Sequence, residues 1–176
     1  MINLKKVNRG KDFENCIKTC FEQVPNVSVD RLPDPMGGYV GVRNICDFSV
    51  FNAPDTFYIE CKCFYDNTLN YKSQISENQW AGLEEKSKIK RCVAGLCIWF
   101  IDYDLTVFVK IQDLLHHRDV DKAKSLNISD IVSEKCVPHF IVDGVKKRIM
   151  FNYFGEDFLR KLHNVSNELW GEYDGK

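Results

Sequence analysis

The chain has 176 residues, of which 44% are hydrophobic and 28% charged, as in an ordinary globular protein, and we expect residues 1–176 to form a single domain. Its formal net charge of -1 lacks the strong basic bias of many nucleic-acid-binding domains. The charged N-terminus and the short length of the longest apolar stretch, Val93–Ile101, exclude a secretory signal peptide and a membrane-spanning helix, so we expect a soluble cytoplasmic protein with no membrane partner.

The first part of the chain predicts a helix, a short strand and a β-hairpin. Apolar residues recur at helical spacing over Arg9–Glu22, which predicts an amphipathic helix. Apolar and polar residues alternate over Val27–Leu32, which predicts a strand. Val42–Phe51 and Thr56–Phe64 are apolar and aromatic runs joined by the turn-forming residues Asn52–Asp55, a pattern typical of a hairpin.

The rest of the chain alternates between helices and strands. A serine N-cap opens the predicted helix Ser76–Lys88, and the apolar run Val93–Ile101 predicts a strand buried on both faces. The other predicted elements are a loop at Asp66–Tyr71, a strand at Thr106–Ile111, helical or irregular segments to Lys135, a hairpin of Phe140–Val142 and Val145–Phe151 turning at Asp143-Gly144, and a terminal helix from Glu156. This order indicates an α/β fold with a central mixed β-sheet flanked by helices.

One charged tripeptide, Glu60-Cys61-Lys62, lies in the second strand of the first predicted hairpin. Because strand side chains alternate between faces, Glu60 and Lys62 share one face while Cys61 points into the core. Antiparallel pairing about the turn brings Asp47 close to Glu60. Two carboxylates and a lysine therefore converge. The similar tripeptide Glu84-Glu85-Lys86 lies in a predicted helix, where residues two apart face different directions.

The convergence of Asp47, Glu60 and Lys62 predicts a magnesium-dependent phosphodiester hydrolase. Mg²⁺ prefers oxygen ligands and is typically held by one or two carboxylates together with substrate phosphate. Asp47 and Glu60 supply carboxylates, the backbone carbonyl of Cys61 is a candidate third ligand, and Mn²⁺ is an expected substitute. The metal polarises the phosphate and acidifies a water, while Lys62 positions or deprotonates that water or stabilises charge on the phosphate.

A structural alternative makes Glu60 and Lys62 an exposed cross-strand pair and Asp47 a turn or edge residue. The flanking residues favour the functional interpretation, because both strands are otherwise unusually apolar. Charges set in such strands cost desolvation energy unless a partner or an ion satisfies them.

The order of these motifs resembles a known enzyme family. The motifs are Gly10-Lys11-x-Phe13-Glu14 in the first helix, Asp47, Glu60-x-Lys62, and Gln79 in the following helix. Together they resemble the PD-(D/E)xK nucleases and, within them, RecU-type Holliday junction resolvases and their phage-encoded relatives. The resemblance covers about Asn8–Phe108 and departs from the family pattern at Cys46, where the name-giving proline would stand. The stretch between Arg31 and Asp47 is also short for the segment that bacterial RecU proteins push into the junction.

The resemblance implies a restriction-endonuclease-like core over about residues 8–110, with 111–176 as a C-terminal extension of the same domain. It implies a metal-dependent endonuclease, usually a homodimer, that cuts two strands of a branched, four-way DNA junction inside a bacterial or phage-infected bacterial cell.

The family's functional residues carry over by position. Asp47 and Glu60 would be the metal ligands, and Lys62 the catalytic lysine. Glu14 would be the accessory acid of the first helix, and Gln79 would orient the water or the lysine. From the sequence alone, Glu14 and Gln79 are read equally well as solvent-facing polar residues of their helices.

Several residues outside the metal site are candidates for DNA contact. Those predicted to bind DNA are Arg31, Lys72, Gln74, Lys86, Lys88, Lys90 and Arg91. Phosphate contacts from such residues would position the duplex and make affinity fall with salt, although each basic group is read equally well as a solvated face. Tyr65 and Tyr71 flank the same loop, where they would stack on bases or pack against the protein.

Three alternatives to a junction resolvase stay open in the sequence. A nuclease of the same superfamily that cuts linear, flap or sequence-specific DNA would share the metal site. A DNA-binding or assembly module with the same fold predicts a broken triad, whereas all three residues are present. A metal-free hydrolase would use cysteine and histidine, but no nucleophile motif accompanies the histidines. The eight cysteines show no CxxC spacing for zinc, and we expect packed thiols in a reducing compartment.

Overall fold

The computed structural model describes residues 8–32, 44–133 and 137–173, and within these ranges helices and strands alternate along the chain. The helices are α1 (Arg9–Glu22), α2 (Tyr71–Gln74), α3 (Glu77–Ser87), α4 (Ile111–Asp119), α5 (Ile128–Val132) and α6 (Gly155–Trp170), with a 3-10 turn at Ile101–Tyr103. The strands are β1 (Ser28–Arg31), β2 (Phe48–Asn52), β3 (Asp55–Phe64), β4 (Thr68–Asn70), β5 (Cys92–Phe100), β6 (Leu105–Lys110), β7 (Ser125–Asn127), β8 (Phe140–Ile141), β9 (Gly144–Lys147) and β10 (Met150–Tyr153).

The central sheet has the strand order β1-β2-β3-β5-β6-β8. Its neighbours pair antiparallel except for β3 and β5, which run parallel and are joined through α3. Two further antiparallel pairs, β9 with β10 and β4 with β7, lie outside it. The predicted α/β class with a mixed central sheet flanked by helices is confirmed.

Helices cover both faces of the central sheet. The side chains of β3 alternate between these faces, and this alternation decides which face carries Glu60 and Lys62. Every residue of β5 is buried, as expected for a strand in the middle of a covered sheet. On one face Cys61 packs in the core formed with α1 and α6. The other face packs against α3 and α4, and Tyr58 joins that core. Glu60 and Lys62 share the face of Tyr58 because strand side chains alternate.

The predicted bounds of several elements are confirmed. The first helix spans Arg9–Glu22 as predicted, and the first hairpin turns between the paired residues Asn52 and Asp55. The second long helix starts after the Ser76 N-cap. The strand predicted over Val42–Phe51 begins only at Phe48, and its first two residues lie outside the described ranges.

The second predicted hairpin is wrong. β8 pairs with β6 instead, and the hairpin of β9 and β10 turns at Arg148, which has a φ of 61°. The sequence Asp143-Gly144 predicts a turn, but in the structure Gly144 pairs with Tyr153 inside the hairpin. A Cβ on Gly144 would lie 2.7 Å from the Asn152 carbonyl oxygen, so the glycine permits a close approach of two backbones.

The predicted loop Asp66–Tyr71 is also wrong in part, because it contains β4 and the first residue of α2. β4 is stabilised by its pairing with β7, in which Leu69 lies opposite Leu126. A pairing between residues so distant in the sequence leaves no local pattern in a strand this short.

Free thiols fill positions in the core, as predicted. All seven cysteines in the described ranges are free, and Cys136 lies outside those ranges. Burial raises the pKa of the Cys61 and Cys97 thiols well above the ordinary value, so both pack as neutral groups. Across the described part of the chain, none of the helices has the length and apolar character needed to cross a bilayer.

Candidate active site

Asp47 is held in place by three hydrogen bonds at the point where β2 begins. Its backbone N–H donates to the Ile59 carbonyl at 3.2 Å, and its carbonyl accepts from the Leu32 N–H at 2.9 Å. Its carboxylate Oδ2 accepts from the Cys61 N–H at 2.7 Å. Asp47 therefore lies one residue before β2 rather than inside the strand predicted over Val42–Phe51, between the residue that follows β1 and the inner part of β3.

Glu60 and Lys62 lie on one face of β3, as the alternation predicted. Lys62 Nζ lies 2.7 Å from Glu60 Oε1. Glu60 is only 3% exposed, so the interpretation of an exposed surface pair does not fit this carboxylate. Phe48 of β2 pairs with Ile59 of β3. Because the strands are antiparallel, the residue before Phe48 lies beside the residue after Ile59, which sets Asp47 beside Glu60.

Gln79 completes the contacts of Glu60 from α3. Its amide Nε2 donates to Glu60 Oε1 at 2.5 Å. Its Oε1 accepts from the Ser76 N–H at 3.0 Å, and its own N–H donates to Ser76 Oγ at 3.3 Å, which forms a capping box. The alternative of a solvent-facing glutamine does not fit these contacts.

The pKa of Glu60 is raised from its ordinary 4.5 to about 7, first by burial and next by the neighbouring Asp47 carboxylate. The ammonium of Lys62 opposes this rise, and Glu14 adds slightly to it. A buried carboxylate beside a second carboxylate is a costly arrangement unless positive charge compensates it. The site therefore favours binding of an additional cation.

Glu14 faces this region from α1 and is paired with Arg31, the last residue of β1. The Arg31 Nη2 atom donates to the Glu14 carboxylate. Glu14 also acts on the pKa of Glu60, which places it within electrostatic reach of the site. Arg31, predicted as a DNA contact, is thus also the partner of the predicted accessory acid.

Close packing holds α3 against the segment that leads into Asp47. A Cβ built on Gly82 would lie 2.1 Å from Ile45 Cγ2 and 2.5 Å from Ile45 Cβ. Only a glycine allows the helix to approach so closely. This contact sets the distance between the helix of Gln79 and the Asp47 segment.

The structure separates the predicted DNA contacts into two groups. Lys72 is exposed in α2, which follows β3 and β4, whereas Gln74 Oε1 accepts a hydrogen bond from the Asn70 N–H at 2.5 Å. The basic run 86–91 precedes β5, whose first residue Cys92 pairs with Thr56 at the start of β3. At about 3.3 Å per residue, that end of β3 is roughly 20 Å from Lys62.

The members of this basic run have separate contacts of their own. Lys86 Nζ lies 5.5 Å from the centroid of the Tyr58 ring, and Lys88 Nζ lies 2.7 Å from Glu84 Oε1. Lys90 is exposed. Neither of these two contacts brings a lysine to Asp47 or Glu60.

Arg91 lies inside the protein rather than at a DNA-facing surface. Its Nε lies 2.6 Å from Asp55 Oδ1, and Asp55 is fully buried. Asp55 also accepts from Ser166 Oγ at 2.6 Å and contacts His163 Nδ1 at 2.5 Å. Arg91 further donates to Asn167 Oδ1 at 3.1 Å. This network ties the first hairpin to α6 and has a structural role.

The aromatic residues on either side of β4, Tyr65 and Tyr71, differ in exposure. Tyr71 is 3% exposed, packs edge-on against Trp80 and shares a 2.7 Å hydrogen bond with His117 Nδ1. Tyr65 is 53% exposed, and its hydroxyl accepts from Arg9 Nε at 3.4 Å. Tyr71 therefore packs, while Tyr65 keeps a free ring face for other contacts.

The residues present fit a magnesium ion. No group of three or more His, Cys, Asp or Glu side chains is arranged to hold a metal within residues 8–32, 44–133 and 137–173. Mg²⁺ does not need such a group, since it usually keeps several waters and takes one or two carboxylates with substrate phosphate. Asp47 and Glu60 supply that donor set. The role of the Cys61 carbonyl as a third ligand stays a prediction.

Comparisons with known proteins find similarities among solved structures. No family model matches the chain, and no curated protein matches its sequence. Among solved structures, the chain is similar to Hjc, a Holliday junction resolvase from the archaeal hyperthermophile Archaeoglobus fulgidus. The TM-score is 0.41 and the sequence identity 16%, over 59% of this chain and 78% of that chain. A similarity at this level leaves the function to be argued from the side chains of the site.

Proposed function

We propose that the chain is a metal-dependent DNA endonuclease. The observation that carries the proposal is the buried Glu60 carboxylate, which contacts Lys62 and Gln79 and lies beside Asp47. Two adjacent carboxylates can hold a divalent cation, and a lysine on the same face can act on the water or the phosphate, so together they suit metal-assisted hydrolysis of a phosphodiester. The motif order that resembles PD-(D/E)xK nucleases supports the same reaction.

Asp47 and Glu60 are the residues that would hold Mg²⁺, or Mn²⁺ in its place. A divalent cation bound there supplies Lewis-acid polarisation of the phosphate and makes a coordinated water more acidic. The Cys61 N–H fixes the Asp47 carboxylate, and Gln79 fixes that of Glu60, so both ligands are oriented before the cation binds.

Lys62 is the residue that we assign to the attacking water or to the phosphate. Its ammonium reaches Glu60 Oε1 at 2.7 Å, and its side chain is about one fifth exposed, so it can also face bound substrate. From this place the ammonium would position the water or stabilise negative charge that develops on the phosphate, and only the neutral amine form of Lys62 would accept the proton of the water.

The substrate that we propose is branched DNA, cut in two strands by a homodimer. Paired cuts in a four-way junction need two active sites that face strands of like polarity. A two-fold symmetric dimer suits a two-fold symmetric substrate. The resemblance of the motif order to RecU-type resolvases supports this more specific part of the proposal.

A panel of labelled DNAs tests the substrate. Four-way junction, flap, linear duplex and single-stranded DNA are incubated with the protein in Mg²⁺, Mn²⁺ or EDTA. Symmetric nicks in the junction alone, absent in EDTA, are the expected result. Metal-dependent cleavage spread over linear DNA would support a general nuclease and overturn the junction proposal. Metal-independent binding without any cleavage would overturn the nuclease itself.

A further inference from the structure

We propose that a basic pocket beside α3 binds the sugar-phosphate backbone of the DNA strand next to the active site. This inference rests on the proposed nuclease function. The pocket has a volume of about 490 Å³ and lies between α2, the start of α3 and the connection from α4 to β7. Residues beyond the recognised motifs form one wall of it, which gives the C-terminal part of the chain a role at the substrate.

The pairing of β4 with β7 brings two lysines to this pocket. Asn70 lies opposite Ser125, and the Tyr71 N–H donates to the Lys124 carbonyl at 3.1 Å. Lys72 and Lys124 both line the pocket and both are exposed. Two ammonium groups far apart in the sequence therefore reach one pocket, and both are accessible to a phosphate.

The floor of the pocket is aromatic and holds a third cation. Trp80 is 5% exposed and packs edge-on against Tyr71. The Arg118 guanidinium lies over the Trp80 ring, 4.4 Å from its centroid, and binds both carboxylate oxygens of Asp119 at 2.7 and 2.8 Å. The ring and the ion pair fix the guanidinium at the pocket wall.

Charge favours an anionic ligand in this pocket. Three of its lining residues are cations, Lys72, Arg118 and Lys124, and one is an acid, Glu77. Asp119 and the nearby Glu84 offset Arg118, so the excess of positive charge among the lining residues comes from the two exposed lysines against the single acid Glu77. Ammonium groups over an apolar floor suit a deoxyribose-phosphate unit, which offers an anionic oxygen group and a less polar sugar.

The position of the pocket connects it to the catalytic residues. Glu77 and Trp80, which line the pocket, lie on the same first turn of α3 as Gln79, which contacts Glu60. Residues one or two apart on a helix face different sides of it, so the pocket and the Gln79–Glu60 contact lie on different sides of the same turn, within about one helix diameter of 10 Å. A strand held there would continue toward the scissile phosphate.

A charge-matched pair of double variants tests the pocket. The full-length protein with Lys72→Gln and Lys124→Gln is compared with a Lys147→Gln and Arg160→Gln control, which removes the same charge from exposed residues of β9 and α6, on the other face of the sheet from α3. Binding to labelled four-way junction is measured in EDTA at several salt concentrations, and single-turnover cleavage in Mg²⁺. Thermal melting checks that both variants fold.

We expect the pocket variant to raise Kd about tenfold. The slope of log K against the logarithm of the salt concentration, where K is the association constant, should become shallower by about 1.8, because each phosphate contact on duplex DNA contributes about 0.9 to it. The cleavage rate at saturating protein should stay near wild type, since neither lysine touches the reacting atoms. The control should keep the wild-type slope.

Two outcomes would overturn the proposal that the pocket binds DNA and leave the proposed nuclease function standing. In the first, the wild type cleaves DNA and the pocket variant keeps its Kd and slope. In the second, the control variant loses as much affinity as the pocket variant, which would mean that binding depends on overall charge. A wild type that neither binds nor cleaves DNA would overturn both proposals together.

Discussion

Gln79 donates a hydrogen bond from Nε2 to Glu60 Oε1 at 2.5 Å, while the oxygen of the same amide accepts from the Ser76 N–H at 3.0 Å. The capping box at the start of α3 thus decides which way the amide faces. With its oxygen turned toward the backbone, its NH₂ group is presented to the carboxylate. The start of this helix and the orientation of the proposed metal ligand are therefore coupled.

Gln79→Glu separates these two roles. Glutamate also serves the capping box, so the helix should keep its stability. The substitution removes the donor to Glu60 and adds a negative charge beside it. Because partners that orient metal ligands typically contribute about 10–100-fold to metal affinity or activity, we expect the rate of DNA cleavage to fall by that factor.

Ser76→Ala is the matched control, since it weakens the cap by about 1 kcal/mol and leaves the Gln79 donor in place. Single-turnover cleavage and thermal melting distinguish the two variants. If the Gln79→Glu protein cleaved DNA as fast as wild type, Gln79 would serve only to cap the helix.

The raised pKa of Glu60 predicts a pH-dependent stability of the metal-free protein. Burial and Asp47 raise this pKa to about 7 in the folded chain, from an ordinary 4.5. The folded state therefore favours the protonated form. Its contribution to stability is fully present below about pH 4.5 and is lost as the pH rises through about 7. The loss is on the order of 3 kcal/mol.

Unfolding by urea in EDTA at pH 5 and pH 8 measures this effect. We expect Glu60→Gln to gain stability relative to wild type between pH 5 and pH 8, because the neutral amide has no charge to bury. Mg²⁺ should stabilise the wild type more than the variant at pH 8. The same pH dependence in both proteins would mean that Glu60 is not the group that titrates.

The contact between Gly82 and Ile45 predicts a strong effect of one methyl group. Alanine favours a helix over glycine by about 1 kcal/mol, yet its Cβ would lie 2.1 Å from Ile45 Cγ2. We expect Gly82→Ala to destabilise the protein by about 1–3 kcal/mol, as overpacking does, and to slow cleavage by moving α3 away from Asp47. Adding Ile45→Ala should restore part of both losses, as urea unfolding and cleavage rates would reveal. If Gly82→Ala alone were more stable than wild type, the tight contact between Gly82 and Ile45 would be contradicted.

Arg91 should act on stability rather than on DNA. Arg91→Ala leaves the fully buried Asp55 without its guanidinium partner, and we expect a loss of about 3 kcal/mol or more in the free energy of unfolding. The exposed neighbour offers a control, since Lys90→Ala should change stability by less than about 0.5 kcal/mol. If Arg91→Ala kept wild-type stability and weakened DNA binding, the original prediction of a DNA contact would stand.

The core of the site could be predicted because it depends on short-range geometry. The two-residue period of a strand is enough to place Glu60 and Lys62 on one face and Cys61 on the other. The turn at Asn52–Asp55 fixes the register of the hairpin, and this register brings Asp47 beside Glu60. Both arguments need only neighbouring residues along one strand or across one turn.

Other features depend on contacts that no local pattern contains. Lys124 reaches the region of Lys72 through the pairing of two three-residue strands that lie far apart in the sequence. Arg91 stands in a basic run that is typical of a solvated surface, and its burial depends on Asp55 of β3 and on the distant α6. Asp143-Gly144 is a sequence typical of turns, but Gly144 lies inside a strand pair, where the backbone of Asn152 approaches it closely.

The most direct test of the proposed metal site is the Mg²⁺ dependence of single-turnover cleavage of a labelled four-way junction. Wild type is compared with Asp47→Asn and with Asp66→Asn, the same substitution at an exposed position after β3. We predict cleavage that rises with Mg²⁺ and saturates in wild type and Asp66→Asn, and a loss of more than about a hundredfold in Asp47→Asn, since ligands contribute more than their supporting partners. Cleavage by Asp47→Asn at the wild-type rate, or none by wild type in Mg²⁺ or Mn²⁺, would contradict a nuclease site built on Asp47 and Glu60.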